Sequence, residues 1–165
     1  MNHSEQLFWL KQAYFIATLG PDPSTQNAAL LINDHVSCCM LFAVNDFPAG
    51  IDYSDERLTS PLKYNYVEHA ERNVIYEAAY QGVSTYDLTM VCPWAACPDC
   101  ARAIIISGIR ELVTHQQALD DTPERWWPAV EIGIDMLREA GVVVTIYDGA
   151  VGGPQIRRNG RMWQP

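Results

Sequence analysis

The sequence predicts an α/β protein in which a mixed five-stranded sheet carries helices on both faces. Two apolar segments with strand character come first, and helical and strand patterns then alternate along the chain. Such alternation is typical of a sheet covered by helices on both sides, which makes a three-layer α/β/α arrangement. The helix predicted between the last two strands is long enough for a crossover, so we expect those two strands to run parallel.

The first elements are a helix and two strands. The helix is predicted over residues 5–18, where apolar residues recur at helical spacing, with Ser4 as its cap and Gly20 just beyond its end. Two apolar segments then predict strands over 28–32 and 36–44, joined by a hairpin turn.

The middle and the end of the chain alternate between loop, helix and strand. Residues 45–66 have little periodicity, two prolines and several aromatics, so we interpret them as a long functional loop. The remaining elements are predicted from their periodicity and from the residues at their ends: helices over 68–81 and 98–107, strands over 88–92, 109–114 and 142–147, and a helix that Thr122 caps and Gly141 ends.

Length and composition fit one domain over residues 1–165, with 147–165 as a flexible or subunit-contact tail. Hydrophobic residues make up 48% of the chain and charged residues 19%, which is ordinary for a globular protein. No segment reaches the roughly 20 apolar residues that span a bilayer, and the N-terminus lacks a signal peptide's apolar run. Two of the five cysteines are adjacent and two form C-x-x-C, which indicates the cytoplasm rather than a disulfide framework.

The net charge of −9 argues against a nucleic-acid polymer as the partner. Affinity for such polymers comes largely from cations that neutralise phosphates, and here 20 acidic residues face 11 basic ones. A small anionic ligand needs only a local cluster of donors. The charge therefore favours a small-molecule substrate.

One histidine and two cysteines lie at metal-ligand spacing. The motif H-x-E, from His69 to Glu71, is followed by C-x-x-C, from Cys97 to Cys100. We expect both motifs to begin helices, where cysteines three apart share one face and the helix N-terminus lowers the thiol pKa. These three ligands suit one zinc ion. Alone, C-x-x-C would fit a redox pair equally well, and the upstream H-x-E favours zinc.

The same motif supplies a proton carrier. Three protein ligands leave the fourth position of a tetrahedral zinc ion open, which is typical of a catalytic site. Zinc lowers the pKa of water toward 7, and Glu71 is suitably spaced to move that proton. We interpret Glu68 as a helix N-terminal charge or cap. The arrangement matches the zinc nucleobase deaminase signature H-x-E…P-C-x-x-C, with Ala96 in place of the proline.

The motifs and their neighbours resemble the deoxycytidylate (dCMP) deaminase family of the cytidine deaminase-like superfamily. The resemblance rests on three segments, residues 45–50, 63–73 and 97–105, and covers about 5–147. It implies the cytidine deaminase-like fold and one catalytic zinc ion per chain. It also implies hydrolytic conversion of dCMP to dUMP with release of ammonia.

The resemblance assigns roles to individual residues. His69, Cys97 and Cys100 would hold zinc, Glu71 would shuttle protons, and Asn45 would contact the sugar hydroxyl. The family also implies a homo-oligomer, and it makes dCTP and dTTP candidate effectors.

Further substrate contacts are predicted from charge and aromaticity. Tyr66 and Trp94 are candidates to contact the pyrimidine ring, although such aromatics are as often simply packed. Because Ala96 departs from the family motif beside Trp94, the wall of the base pocket is expected to differ, and a modified cytosine would fit it. The cations that would bind a 5′-phosphate are Arg57, Lys63, Arg72 and Arg102, and of these Arg72 is favoured because it lies beside Glu71 near a helix N-terminus.

Two alternatives to dCMP deamination stay open. The first is a deaminase of a related substrate, namely a modified dCMP, a nucleoside, a purine base or a base in tRNA. The second is a non-catalytic nucleotide-binding module, against which an intact Glu71 argues. His35 and His115 are interpreted as surface residues rather than ligands.

Overall fold

A five-stranded sheet in the order β2-β1-β3-β4-β5 organises the chain, which a computed structural model describes over all of residues 1–165. β1 pairs antiparallel with β2 and β3, whereas β3–β4 and β4–β5 are parallel. The predicted parallel pairing of the last two strands of this sheet is therefore confirmed. The strands are β1 (Ala28–Asn33), β2 (Cys38–Val44), β3 (Thr89–Val91), β4 (Glu111–His115) and β5 (Val143–Tyr147).

Helices cover both faces of the sheet, as the sequence predicted. One face packs against α1, and the other packs against α3, α4 and α6. None of the helices is both long enough and apolar enough to cross a membrane. The helices are α1 (His3–Ala17), α2 (Lys63–Tyr66), α3 (Ala70–Gln81), α4 (Pro98–Ile106), α5 (Gln116–Asp120) and α6 (Trp127–Glu139).

β1 lies at the centre of the packing because it is buried on both faces. Successive side chains of a strand point to opposite sides, so Leu30 and Ile32 join the α1 core while Ala29 and Leu31 join the α3–α4–α6 core. All four are fully buried. This explains why β1 is a continuous apolar run and not an alternating one.

Two predicted helix starts are wrong. α1 is capped by Asn2, whose Oδ1 accepts from the Glu5 amide while Glu5 accepts from the Asn2 amide, so Ser4 lies inside the helix. Thr122 caps nothing, because its hydroxyl accepts a hydrogen bond from Trp94 Nε1 at 2.8 Å. A 3₁₀ turn (Glu124–Trp126) follows it, and α6 begins only afterwards with a proline in its first turn.

The C-terminal segment folds back as a hairpin. The sequence predicted a flexible or subunit-contact tail for these residues. β6 (Ile156–Arg158) and β7 (Arg161–Trp163) pair antiparallel. The two residues between them, Asn159 and Gly160, both have positive φ (52° and 76°), as a type I′ hairpin turn requires. Ile156 is 2% exposed and belongs to the α1 core, so the hairpin is part of the folded domain.

Candidate metal centre

His69, Cys97 and Cys100 lie together at one end of the sheet. The Nδ1 atom of His69 is 3.7 Å from Cys97 Sγ and 3.5 Å from Cys100 Sγ. Their potential ligand atoms all lie within 4.8 Å of one another. The structure thus brings together the three predicted ligands.

This geometry fits a tetrahedral zinc ion. Zinc bonds of about 2.3 Å to sulfur and about 2.1 Å to nitrogen, at tetrahedral angles, separate sulfur from nitrogen by about 3.6 Å. The two measured sulfur–nitrogen distances, 3.5 and 3.7 Å, bracket this value. The donor set of one imidazole and two thiols is also one that zinc prefers.

Two helix N-termini deliver the ligands. His69 is the N-cap residue of α3, and Cys97 is the N-cap residue of α4, both with extended backbone dihedrals. Pro98 then occupies the first turn of α4, where its missing amide hydrogen costs nothing. Cys100 lies one turn into α4, on the face that meets Cys97. The short motifs fold into this arrangement because each coincides with a helix start.

The two thiols differ in their affinity for a proton. A hydrogen bond from Cys100, with a further contribution from His69, outweighs burial and lowers the pKa of Cys97 to about 3. The same contact raises the pKa of Cys100, and burial adds to the effect. Burial acts to lower the pKa of His69, but the hydrogen bond with Cys97 and the charge of Glu71 raise it overall. A thiolate is therefore already stabilised among the three donors.

Glu71 is a buried carboxyl beside this cluster. It lies in the first turn of α3, two residues after His69, and only 3% of its surface is exposed. Burial raises its pKa, although the nearby charge of His69 opposes the shift. A buried carboxyl with a raised pKa beside the predicted metal ligands is suited to proton transfer.

Glu68 contributes to the frame of the site. Its Oε1 accepts from the His69 amide at 2.9 Å and from Arg72 Nε at 2.6 Å. Its backbone forms two hydrogen bonds with Asp46, so that the long loop between them begins and ends at one point. The carboxylate is engaged in these contacts, in accord with the cap or charge role predicted for it.

Gly133 allows α6 to approach the C-x-x-C loop. A Cβ atom at this position would lie 2.1 Å from the carbonyl oxygen of Ala96 and 3.3 Å from the carbonyl carbon of Cys97. Contacts below 3.0 Å are essentially never tolerated. Only glycine therefore fits here. An isolated glycine inside a predicted helix is the sequence signal for such a close approach.

Asn45, the predicted contact of the sugar hydroxyl, is 8% exposed and ties β2 to α3. Its Oδ1 accepts from the Ala70 amide at 2.9 Å, and its Nδ2 faces the Thr25 carbonyl at 3.4 Å. The side chain thus satisfies a free amide at the helix start, a role that His69, as N-cap residue, leaves open. Contact with a sugar stays a prediction.

Three of the four predicted phosphate ligands carry carboxylate partners. Lys63 Nζ donates to both oxygens of Asp22, at 3.2 and 2.9 Å, in a pair whose side chains are 10% and 4% exposed. Arg72 pairs with Glu68 and lies 3.6 Å from Asp99, which also pairs with Arg102. Of these four cations, only Arg57 has no ion-pair partner.

The predicted aromatic contacts both lie close to the ligands in sequence and touch an arginine. Tyr66, three residues before His69, has the Arg57 guanidinium 4.8 Å from its ring centre. Trp94, three residues before Cys97, has the Arg158 guanidinium 4.2 Å from its ring centre. Both aromatic residues are half-buried.

His115, interpreted from sequence as a surface residue, is fully buried, so that interpretation is wrong, whereas His35 is exposed as expected. The His115 ring lies between the Tyr14 hydroxyl, 2.7 Å from Nδ1, and the Gly149 carbonyl, 2.8 Å from Nε2. Both nitrogens are satisfied by a neutral imidazole that donates from Nε2 and accepts at Nδ1. Burial accordingly lowers its pKa.

Two curated proteins illustrate the sequence similarity. A protein of Aliivibrio fischeri described as an "uncharacterized deaminase in luxG 3′region" is 31% identical over 144 residues, which are 83% of this chain and 92% of that protein. The deoxycytidylate deaminase of Enterobacteria phage T4 is 41% identical over 76 residues, which are 46% of this chain and 35% of the phage protein.

Solved structures share the fold at low sequence identity. The dCMP deaminase of cyanophage S-TIM5, in complex with dCMP and dUMP, has a TM-score of 0.68 at 20% identity, over 88% of this chain and 98% of that one. A bifunctional deaminase/reductase of Thermotoga maritima, named for diaminohydroxyphosphoribosylaminopyrimidine, has a TM-score of 0.61 at 20% identity, over 87% of this chain and 36% of that one.

The family model described as "cytidine and deoxycytidylate deaminase zinc-binding region" matches residues 3–116, more than half of the chain and all of the predicted zinc ligands. Together with the fold and the His–Cys–Cys cluster, this match shows that the chain belongs to the cytidine and deoxycytidylate deaminase family.

Proposed function

We propose that this protein is a zinc-dependent deaminase that hydrolyses dCMP to dUMP and ammonia. The observation that carries the proposal is the convergence of His69, Cys97 and Cys100 beside a buried glutamate, Glu71. Three ligands complete a site in which one position remains for water or substrate. When bound, zinc supplies Lewis-acid chemistry that brings the pKa of water near 7.

Glu71 would handle the protons of the reaction. Burial raises its pKa, so the carboxyl binds a proton more readily than an exposed glutamate does. It would accept a proton from the attacking water and pass it to N3 of the cytosine ring, and it would then carry the second proton of that water to the amino group that leaves C4 as ammonia. Water supplies the oxygen of the product, so that dCMP and water give dUMP and ammonia in balance.

Glu71 also argues for an enzyme over a binding module. Burial of an ionisable carboxyl costs free energy, and Glu71 forms no ion pair with a lysine or an arginine that would compensate this cost. A module that only binds nucleotides gains nothing from such a group. A proton-transfer role accounts for its position beside the predicted metal ligands.

The substrate assignment combines charge with the family. Similarity to the phage deoxycytidylate deaminases supports a cytosine nucleotide, and the net charge of −9 disfavours a polymer such as tRNA. For the 5′-phosphate we favour Arg57, because Lys63 and Arg72 already neutralise carboxylates. The alternative is a deaminase that acts on a modified dCMP or on a nucleoside, and the substrate comparison below distinguishes it from a dCMP deaminase.

The test compares dCMP, deoxycytidine, CMP and dCTP as substrates of the zinc-loaded protein. The deamination rate is measured as the decrease in cytosine absorbance. We expect dCMP to give the highest kcat/KM. The variant Arg57→Gln should lower kcat/KM for dCMP by at least tenfold while the rate with deoxycytidine is unchanged. Equal rates on dCMP and deoxycytidine in the wild-type protein would refute phosphate recognition.

A second variant tests the proton carrier. Glu71→Gln should retain one zinc ion per chain and lose deamination, because the amide cannot hold or release the proton. We expect a loss of about 10²–10⁴-fold, the usual contribution of general acid–base catalysis. Turnover near the wild-type rate would remove Glu71 from the mechanism.

Assembly and regulation follow from the family as further parts of the proposal. We propose a homo-oligomer, measurable as the mass in solution by light scattering. We also propose dCTP and dTTP as effectors, measurable as opposite changes in the rate on subsaturating dCMP. A monomer that ignores both nucleotides would contradict these two points and leave the zinc chemistry untouched.

A further inference from the structure

Arg158 lies in the C-terminal hairpin, outside the part of the chain that the family model matches, yet it contacts the loop that carries C-x-x-C. Arg158 is buried, with only 2% of its surface exposed to solvent. The guanidinium carbon is 4.2 Å from the ring centre of Trp94 and 5.4 Å from that of Trp163. A guanidinium at this range from an indole face is attracted to it, most strongly where water is excluded.

The guanidinium is fixed by further contacts. Its Nε donates to Asp121 Oδ2 at 3.0 Å, and its Nη2 donates to the carbonyl of Ala118. The carboxylate of Asp121 also pairs with Arg161. The charge of Arg158 is thereby neutralised, and its planar group is held in one orientation next to Trp94.

The hairpin that carries Arg158 is anchored to the loop before β1. The Gln26 amide donates to the Arg157 carbonyl at 2.8 Å, and Gln26 Oε1 accepts from the Arg157 amide at 2.9 Å. The Gly160 amide donates to the Ser24 carbonyl at 2.9 Å. These contacts make the hairpin a rigid support for its inward-facing arginine.

Trp94 itself is held from a second direction. Its Nε1 donates to Thr122 Oγ1 at 2.8 Å, so its ring edge and its ring face have separate partners. Trp94 lies three residues before Cys97 on the loop that leads into α4. Both of its polar contacts, Thr122 and Arg158, come from the chain beyond residue 116, where the family match ends.

We propose that Arg158 is a positioning residue, which fixes the Trp94 indole as a wall of the substrate pocket. The C-terminal hairpin then takes part in substrate recognition although it contributes no zinc ligand. The inference rests on the proposed function in one respect, because it takes Trp94 as a contact of the pyrimidine ring. Arg158 acts only through Trp94.

The first test is the variant Arg158→Gln in the zinc-loaded protein, with Arg157→Gln as the matched control. The control removes the same charge from the same hairpin, but Arg157 is exposed. We expect Arg158→Gln to raise KM about tenfold, equivalent to about 1.4 kcal/mol, with kcat and zinc content within twofold of wild type. Equal KM values in the two variants would overturn the proposal.

A double-mutant cycle separates positioning from general destabilisation. If Arg158 acts through Trp94, then Arg158→Gln should add nothing to the KM of a Trp94→Ala protein, because interacting residues are non-additive. Additive effects would assign Arg158 a merely structural role. Should Arg158→Gln fail to fold, Arg158→Lys and Trp163→Leu carry the same cycle, and additivity in both would overturn the inference.

A spectroscopic measurement keeps the inference independent of the substrate. The fluorescence of Trp94, taken as the difference between each protein and its Trp94→Phe counterpart, should be quenched more by acrylamide in Arg158→Gln than in Arg157→Gln. A wild-type protein inactive on dCMP would sink the proposed function, while this quenching difference would still decide whether Arg158 holds Trp94.

Discussion

Gly133 is the residue whose replacement tests the metal centre most directly from outside it. In the variant Gly133→Ala, the added Cβ would start 2.1 Å from the Ala96 carbonyl oxygen, against a practical minimum of 3.0 Å. The loop or the helix must therefore move by about 0.9 Å, as overpacked backbones do. Because Cys97 directly follows Ala96, a displaced loop carries one thiol with it.

The size of the effect follows from this displacement. Metal–ligand distances tolerate only about 0.2 Å, and a misplacement of about 1 Å near a reacting centre can cost about 10²-fold in rate. We expect Gly133→Ala to weaken zinc binding at least tenfold and to lower deamination about 10²-fold. Global stability should change less, because overpacking costs about 1–3 kcal/mol while alanine gains about 1 kcal/mol of helix propensity.

The assay is a competition between the protein and a chromophoric zinc chelator, combined with urea unfolding and the deamination rate. Ile132→Ala is the control, since Ile132 neighbours Gly133 on α6, is 53% exposed and receives the same residue type. A Gly133→Ala protein with wild-type zinc affinity would refute the reasoning, because the thiols would then tolerate the shift or would not bind the metal.

Three further predictions address the metal, a buried ion pair and a buried histidine. Removal of zinc by a chelator should abolish deamination and lower the Tm, and zinc should restore both; an unchanged Tm after complete removal would contradict a role of the metal in stability. Lys63→Met should lower the free energy of unfolding, measured in urea, by about 3 kcal/mol because it leaves Asp22 buried without its partner. Adding Asp22→Asn to the same chain should recover part of this loss. A loss below about 1 kcal/mol would show that Asp22 is hydrated in the variant. The folded pKa of His115 lies below its usual value of 6.5, so the unfolded chain binds the proton first as the pH falls. The contribution of His115 to the free energy of unfolding should therefore be complete above about pH 6.5 and decrease as the pH falls from about 6.5 to about 5. The variant His115→Gln should show a smaller decrease over this range. Equal decreases in the two proteins would contradict the assignment.

The clustering of His69, Cys97 and Cys100 was predictable because its information is local. H-x-E and C-x-x-C each span one helix start, so the spacing that brings donors together is set within four residues, and only the docking of α3 beside α4 had to be supplied by the fold. The alternation of helical and strand patterns likewise predicted the mixed sheet and the parallel pairing of β4 with β5. Long-range contacts decided the rest.

Asn45 and Thr122 show how such contacts override local patterns. Asn45 accepts a hydrogen bond from the amide of Ala70, at the start of a helix 25 residues away. Thr122 stands in a good capping position but accepts a hydrogen bond from the Trp94 indole instead. Neither partner is visible in sequence spacing. The C-terminal hairpin could have been found, since Asn159-Gly160 is a strong turn signal, but its strands are too short to show a period.

The hydrogen-bonded bridge between Asp46 and Glu68 has a consequence for how this architecture changes over time. Because the bridge fixes both ends of the loop next to His69, the residues between them form a closed excursion. Doubling the length of such an excursion costs only about 0.6 kcal/mol of closure entropy. Insertions and exchanges within the excursion therefore cost little closure entropy and leave the position of His69 unchanged.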